Sequence, residues 1–458
     1  MENRAVTMDK LVALCKARGI IFAGSEIYGG MGNTWDYGPV GVEVKNNIKR
    51  AWWKRFVQES DNSYGVDAAI LMNSRVWEAS GHTTSFSDPK MDCKKCKTRH
   101  RADNLIENHS KGKVNPDVMS NEEMEKYIAE HEVHCPNCGG FDWTPIRTFN
   151  LMFETSRGVT DESQNKIYLR PETAQGEFVN FLNVQRTTRA KVPFGIAQIG
   201  KAFRNELTPG NFIFRTIEFE QMEHQWFCKE GTDGEFYAQF KEKAFNFLVD
   251  LGFKKEHLRF HDHDKLAHYA KAACDIQYLY PMGWQELNGI HNRTDYDLSR
   301  HQDFSGKTLT YVDPVNGEKF IPYVIEYSIG ADRLMLAVLS EAYDEETLEN
   351  GEVRNVLHFH PAIAAYKAAV LPLQKNLAPQ AKELWEKLKK RFPVIYDEAG
   401  SIGKRYRRQD EIGTPYCITI DFDTLENGTV TLRDRDSMEQ QRLTPDEVIA
   451  YISEKIVF

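Results

Sequence analysis

Ile196-Ala197-Gln198-Ile199-Gly200-Lys201-Ala202-Phe203-Arg204-Asn205-Glu206 reads as an extended strand, Thr208-Pro209-Gly210-Asn211 carries turn chemistry, and Phe212 to Phe227 reads as the returning strand. The pattern is a hairpin with a long loop, and its strands are unusually charged. Side chains alternate along a strand, which puts Arg204 and Glu206 on one face, and Arg215, Phe219, Gln221 and Glu223 on one face of the return. A guanidinium offers a planar donor fork to phosphate oxygens, and an aromatic ring offers a stacking surface to a base. The hairpin alone leaves two readings open: a nucleotide site, or a charged and solvated surface.

Ile325-Glu326-Tyr327-Ser328-Ile329-Gly330-Ala331-Asp332-Arg333 adds a short apolar strand that meets a glycine and runs into Leu334-Met335-Leu336-Ala337-Val338-Leu339. The Leu, Met and Ala content of that run predicts a buried helix. Arg333 then falls in the first helical turn, where backbone dipoles already favour anions, so a cation there calls for an anion or a π-face. It reads either as a second nucleotide-facing group or as an arginine paired with Asp332 or a nearby carboxylate.

The 458 residues suffice for two or three domains, and 41% apolar with 12% aromatic content supports large cores. No window approaches the ~20 apolar residues of a membrane span, and Met1 to Lys10 lacks a basic start followed by an apolar stretch, so cytoplasmic residence is expected. A formal charge of -9 argues against nucleic-acid binding by overall charge, and any RNA contact must use a local basic surface. Lys404-Arg405-Tyr406-Arg407-Arg408 is such a surface in a segment readable as a helix. Around it, Ala368 to Leu373, Val394 to Tyr396, Tyr416 to Ile420 and Val430 to Leu432 read as strands separated by amphipathic stretches, predicting a small α/β domain. Cations with an aromatic among them suit single-stranded RNA, and a solvated charged helix is the alternative. Tyr343 to Gly351 is acidic, ends in glycine and reads as a linker or surface crossing.

Cys93-Lys94-Lys95-Cys96 and Cys135-Pro136-Asn137-Cys138 form two knuckles of equal spacing. Together they can supply four thiolates in a tetrahedron, with zinc the expected metal and a structural role, since no coordination position is left open. Disulfides are the alternative, disfavoured by the lack of an export signal. Between the knuckles, Ser120-Asn121-Glu122-Glu123 reads as a capping box opening a helix.

Three ordered segments now carry a resemblance. Asp36-Tyr37-Gly38-Pro39-Val40-Gly41, the hairpin with Phe203-Arg204-Asn205-Glu206, and the Gly330-Ala331-Asp332-Arg333 helix start resemble motifs 1, 2 and 3 of class II aminoacyl-tRNA synthetases. Within that class the chain is similar to homodimeric glycyl-tRNA synthetases over nearly its whole length, including Trp77-Glu78-Ala79-Ser80-Gly81-His82, Arg170-Pro171-Glu172-Thr173-Ala174-Gln175-Gly176 and Ser401-Ile402-Gly403-Lys404-Arg405-Tyr406. The resemblance implies an α+β protein: an antiparallel catalytic sheet flanked by helices over residues 1–88 and 148–345, a four-cysteine insertion over 89–147, and a C-terminal α/β anticodon-binding domain over 346–458.

The implied reaction activates glycine with ATP and Mg2+ and transfers it to tRNA-Gly. By resemblance Arg204, Arg333 and Glu206 are catalytic. ATP is bordered by Arg204, Asn205, Glu206, Phe214, Arg215, Thr216, Ile217, Glu218, Phe219, Glu286, Leu287, Gly330, Ala331, Asp332 and Arg333. Phe219 and Arg333 sandwich the adenine, and Glu286 reaches toward magnesium. Glycine is bordered by Arg101, Glu172, Phe219, Glu220, Gln221, Met222, Glu223, Glu326, Tyr327, Ser328, Ile329 and Gly330. The tRNA is met by Lys404, Arg405, Arg407 and Arg408.

Glu172, Glu223 and Glu326 suit a substrate without a side chain, because crowded carboxylates gain from an ammonium and leave no room beyond its Cα. Each acid taken singly also reads as a structural ion pair. Size exclusion works in favour of glycine, so no editing domain is expected. The run Val42 to Phe56 reads as a helix with Val44, Ile48, Trp52 and Phe56 on one stripe. Such a stripe is usually core; in class II enzymes this helix lies at the dimer interface, which implies a homodimer. Two other functions compete: a synthetase-like nucleic-acid-binding protein resembling the accessory subunit of mitochondrial DNA polymerase, and an amino-acid-adenylating enzyme with a different acceptor.

Overall fold

The structure, a computed structural model, describes residues 6–111, 113–116, 119–158, 165–206, 210–263, 266 and 270–458. Thr208 and Pro209 of the expected turn lie outside the described residues.

The catalytic region is built on seven strands: β1 (Ser63–Gly65), β2 (Phe194–Phe203), β3 (Glu218–Cys228), β4 (Leu258–Asp262), β5 (Ala272–Tyr280), β6 (Gly283–Thr294) and β7 (Tyr323–Gly330). They lie in the order β4-β5-β6-β7-β3-β2-β1. Every neighbouring pair is antiparallel except β1 against β2, which is parallel. Period-two alternation divides the sheet into two chemically different faces. Met222, Tyr327, Ile329 and Ile290 point to the back and are buried there against helices α1 (Pro39–Trp53) and α2 (Ala331–Ala342). Phe219, Gln221, Glu223, Glu326 and Ser328 point to the front. Pairing of Glu223 with both Gln198 and Ser328, and of His291 with Glu326, gathers polar groups from four strands onto one patch.

Helix α1 starts at Pro39, whose fixed φ and missing N–H suit a first helical position, and it continues into a π-helical turn over Lys54–Gln58. Val44, Ile48, Trp52 and Phe56 are all fully buried. Phe56 stacks on Tyr327 with ring centroids 4.4 Å apart, and Trp52 stacks on the same ring at 6.3 Å. The stripe therefore packs on the sheet of its own chain.

The hairpin departs from its expected form. β2 ends at Phe203 and β3 begins only at Glu218, and Phe212–Phe214 forms a tight 3-10 turn entered through Asn211 and Phe212, with φ of 38° and 59°. Burial of three consecutive apolar side chains, Phe212, Ile213 and Phe214, draws this segment into the core. Arg215 consequently stands outside β3 and does not share a strand face with Phe219. The Tyr343–Gly351 stretch is also more ordered than a linker: Tyr343–Thr347 pairs antiparallel with Val353–Leu357, and Glu346 meets Arg354.

The four-cysteine insertion has a three-stranded antiparallel sheet, with Ser87–Asp92 between Arg99–Arg101 and Arg147–Asn150. Its separate core joins Met91, Leu105, Ile106, Met124 and Ile128. The capping box forms: the Glu123 N–H donates to Ser120 Oγ at 3.2 Å, and the Ser120 N–H donates to Glu123 Oε2 at 2.7 Å. The C-terminal region carries β8 (Ala368–Pro372), β9 (Val394–Tyr396), β10 (Tyr416–Ile420), β11 (Val430–Asp434) and β12 (Gln440–Leu443), in the order β9-β8-β10-β11-β12. The edge strand β12 has no apolar alternation, which hid it from sequence reading; polar edges are what soluble sheets use against further pairing.

Candidate active site

The front face opens into a cleft of about 280 Å³ whose walls include Glu172, Arg204, Glu206, Phe214, Phe219, Glu223, Glu326 and Arg333. Arg204 follows directly on β2. Its guanidinium lies between two rings, 5.3 Å from the centroid of Phe86 and 5.4 Å from that of Phe219, and Nε donates to the Pro171 carbonyl at 3.1 Å. Its two Nη groups have no carboxylate partner among the described residues. Glu206 lies close by, with Arg215 Nη1 3.9 Å from its carboxylate.

Arg333 resolves the electrostatic problem posed by its place at a helix start. It has both compensations: its guanidinium lies 4.5 Å over the Phe214 ring, and Nη1 is 3.1 Å from Glu286. The Arg333 charge holds the Glu286 carboxyl below its ordinary range. Asp332 is not its partner. That carboxylate accepts from Tyr37 at 2.5 Å, from Lys45 at 2.7 Å and from the Glu220 N–H at 2.8 Å, a buried network that fixes the start of α2 against α1.

The three acids line the same cleft in unequal surroundings, Glu223 and Glu326 buried and Glu172 part-buried. Glu172 lies 3.3 Å from His82 Nε2 and accepts from Gln175 at 2.9 Å. Glu326 meets Arg293 at 3.2 Å and His291 at 2.9 Å. Burial alone would raise both carboxyls, but His82 and Arg293 for Glu172, and Arg293 and His291 for Glu326, hold them below their usual range. Among the described residues Glu223 has no cation within ion-pair distance, although the buried Arg170 guanidinium interacts with it electrostatically. Glu223 accepts from the Thr173 N–H at 3.0 Å, from the Thr173 hydroxyl, from Ser328 at 2.9 Å and from Gln221 at 3.3 Å. Burial, then the charges of Glu326 and Glu172, push its carboxyl up to about 7 against these hydrogen bonds. Glu177 lies behind the group, fully buried, with neither oxygen hydrogen-bonded; burial and the neighbouring acids raise it well above the carboxylate range.

Of the other residues the sequence pointed to, Gln221, Leu287, Ser328, Gly330, Thr216 and Asp332 also line the cleft. Several do not reach it. Met222, Tyr327, Ile329 and Ala331 are core residues, the first three on the back face by strand alternation. Glu220 alternates to the back as well and pairs with Lys45 at 2.9 Å and Lys49 at 3.0 Å. Glu218 pairs with Lys201 at 2.7 Å on the surface. Asn205 and Ile217 are tied by backbone N–H groups to the carbonyls of Leu151 and Asn33. Arg101 bonds Asp103 at 3.0 Å and Asp88 at 3.1 Å, which raise its pKa, and it lies outside the cleft wall. His82, Thr173, His291 and Arg293 are the site residues to which the sequence assigned no role. The first two lie in segments already singled out, but their roles depend on partners brought in by folding.

The basic helix Ile402–Glu411 is largely committed within the protein. Arg405 is 4% exposed and donates to backbone carbonyls of Pro372 and Gly400. Arg407 pairs with Glu352, and Arg408 with Asp397 at 2.6 Å. Lys404 alone of the four is exposed, while Arg407 and Arg408 are part-exposed. In the insertion, the sulfurs of Cys93 and Cys138 are 3.6 Å apart and those of Cys96 and Cys135 3.7 Å. A tetrahedral centre with Zn–S bonds of about 2.3 Å has an S–S edge of about 3.8 Å, so the four thiols fit a metal and not two disulfides of about 2 Å.

The tRNA synthetase class II core domain (G, H, P, S and T) matches residues 153–342, and the anticodon binding domain matches residues 367–455. The glycine–tRNA ligase of Clostridium kluyveri is 61% identical over 458 residues, covering 99% of both chains. That of Clostridium perfringens is 61% identical over 462 residues with the same coverage, and that of Caldanaerobacter subterraneus subsp. tengcongensis is 60% identical. A solved structure described as the RNA binding domain of threonyl-tRNA synthetase from Cryptosporidium parvum Iowa II superposes with a TM-score of 0.63 at 16% identity, covering 97% of this chain and 98% of that one, a likeness of fold. Full-length identity of this order, with the class II core built around paired arginines and an acid-lined cleft, places the chain in the glycine–tRNA ligase family of class II aminoacyl-tRNA synthetases.

Proposed function

We propose that the cleft joins glycine to ATP and that the glycyl group then passes to tRNA-Gly, with release of pyrophosphate and AMP. In the first step the glycine carboxylate attacks the α-phosphorus and the pyrophosphate oxygen leaves; in the second the terminal ribose hydroxyl of the tRNA attacks the adenylate carbonyl and AMP leaves. Two anions must meet in the first step, so positioning and fixed positive charge are what the protein has to supply. Arg204, with its Nη groups turned to no carboxylate, is the group for the α-phosphate. Phe219 and Arg333 present the surfaces for the adenine, and Glu206 is the acceptor for its amino group.

The observation that carries the reading is the unequal pairing of the acids. Glu326 forms an ion pair with Arg293 and Glu172 lies against His82, whereas Glu223, among the described residues, has no cation within ion-pair distance and faces the cleft. An ammonium is the missing counter-charge, and crowding by Ser328, Gln221 and the other acids leaves it no side chain. The intact arginines and acids set the chain apart from a synthetase-like protein that only binds nucleic acid. The test is ATP-dependent charging of a tRNA-Gly transcript with labelled glycine: charging with one AMP formed per glycine attached supports the reading, and absence of charging with active protein overturns it.

Magnesium bound with ATP would neutralise phosphate charge, and Glu286 is the carboxylate placed to meet it. Zinc at Cys93, Cys96, Cys135 and Cys138 would hold the insertion together. The division into residues 1–88, 89–147, 148–345 and 346–458 belongs to the same reading, as do a cytoplasmic location and a homodimer. Among the described residues no helix is long and apolar enough to cross a membrane. The exposed Ile27, Tyr28 and Met31, just before motif 1, are the apolar surface a second copy would cover. For tRNA, Lys404 remains the available cation of its helix.

A further inference from the structure

Arg204 has an aromatic neighbour that belongs to neither of the strands forming the hairpin. Phe86 ends the segment His82–Phe86 and immediately precedes the insertion strand Ser87–Asp92, which runs to Cys93 at the metal-type cluster. Six extended residues span about 20 Å, so one strand joins the cysteines to the wall of the cleft. The connection is doubled on the return: Ser87 pairs with Asn150, the Leu151 N–H donates to the Phe86 carbonyl at 3.1 Å, and the Asn205 N–H, next to Arg204, donates to the Leu151 carbonyl at 2.8 Å. The root of the insertion is thus hydrogen-bonded to the end of motif 2. Arg101, inside the insertion, bonds Asp88 two residues beyond Phe86 and braces the same strand.

The segment touches both halves of the site. At one end His82 pairs with Glu172, and its ring lies 5.0 Å from that of Phe86; at the other, the Phe86 ring lies 5.3 Å from the Arg204 guanidinium, which is 5.4 Å from Phe219. A guanidinium that, among the described residues, hydrogen-bonds to one backbone carbonyl swings about its long side chain. Two rings within cation–π reach, Phe86 and Phe219, restrict that swing while both Nη groups stay available to an anion.

We propose that Phe86 is a positioning residue for Arg204, and that the four-cysteine insertion acts on nucleotide binding by holding Phe86 in place. This rests on the reading of Arg204 as the phosphate-binding group. The experiment is titration calorimetry of ATP with Mg2+ on the full chain without amino acid, together with KM for ATP and for glycine in pyrophosphate exchange. Phe86→Leu keeps apolar bulk and removes the ring face; it is expected to weaken ATP binding about three- to tenfold, the range for a partly desolvated cation–π contact, with KM for glycine changed far less. Phe86→Tyr restores the ring and is expected to restore ATP affinity, which a merely structural role for bulk would not require. Cys96→Ser is expected to weaken ATP binding in the wild-type background and to add little in the Phe86→Leu background, because both act through one contact. Equal ATP affinity in Phe86→Leu and Phe86→Tyr, or full additivity of Cys96→Ser with Phe86→Leu, overturns the proposal. Since ATP binding is read without amino acid, an error in the choice of glycine as substrate leaves this readout intact.

Discussion

Lowering the pH from 8 to 6 should weaken glycine binding through one identifiable group. Among the described residues Glu223 has no cation within ion-pair distance, and its carboxyl is pushed up to about 7 because burial and the charges of Glu326 and Glu172 outweigh four hydrogen bonds. Its surroundings include Glu172 and the Arg170 guanidinium from the Arg170–Thr173 loop, Glu177 from the following helix, Glu326 on β7, and His291 and Arg293 on β6 with Glu326. Glycine keeps its ammonium throughout this range, so the change lies in the protein. A raised carboxyl is protonated below its pKa, and an ammonium must displace that proton before it can pair. Above pH 7 the proton is already gone; at pH 6 only about one site in ten is ionised, so apparent affinity should fall about tenfold for each pH unit below 7, or ~1.4 kcal/mol per unit. Calorimetry of glycine binding in two buffers of different ionisation enthalpy reads the proton count: close to one released at pH 6 and close to none at pH 8. Glu223→Gln should bind glycine weakly, with little pH dependence. A KM for glycine that is flat from pH 6 to 8, or an unchanged pH dependence in Glu223→Gln, would refute the reasoning.

Other perturbations test the scaffold. Lys45→Met leaves Asp332 buried without its ammonium, while Glu220 keeps Lys49, and should destabilise the chain by about 3–5 kcal/mol in denaturant unfolding, in the range for breaking a buried pair. Trp52→Ala removes a fully buried ring from the back of the sheet and should cost about 3–5 kcal/mol; a loss below ~1 kcal/mol would show that the stripe is not core. His224 is buried, bonded to Ser63 at 2.9 Å, and burial lowers its pKa to about 3. Between pH 6.5 and 3 the unfolded chain therefore binds a proton that the folded chain refuses, so this group removes stability as pH falls, with a slope of up to ~1.4 kcal/mol per unit, and His224→Gln should flatten that part of the stability curve. Metal analysis should find one zinc per chain, and chelation should speed proteolysis between residues 89 and 147 before the rest of the protein is cut.

Much of the cleft was legible because strand alternation is local. Phe219, Gln221 and Glu223 share a face as their spacing requires, and the misplaced charge at Arg333 announced a compensating ring and anion. The same alternation sends Glu220, Met222, Tyr327 and Ile329 behind the sheet, so a contiguous run of binding residues was too generous. Arg215 lines the cleft but not from the return strand, because burial of Phe212–Phe214 overrides an extended reading, and nothing local ranks those two outcomes. The pairings that tune the acids, His82 with Glu172 and Arg293 with Glu326, join segments far apart in the chain. Likewise Arg405 looks like part of an RNA surface until folding buries it against the Pro372 carbonyl, while Arg407 and Arg408 stay part-exposed beside Glu352 and Asp397. The cysteine cluster was readable because the knuckle spacing itself states the coordination geometry.

Pyrophosphate exchange with glycine, alanine and serine in parallel measures whether paired arginines and a side-chain-free amine site share one cleft. Exchange with glycine is expected, with alanine lower in kcat/KM by about 1–3 kcal/mol or more, since its methyl enters space already filled by polar groups. Exchange with alanine as efficient as with glycine, or none with any amino acid, would contradict it.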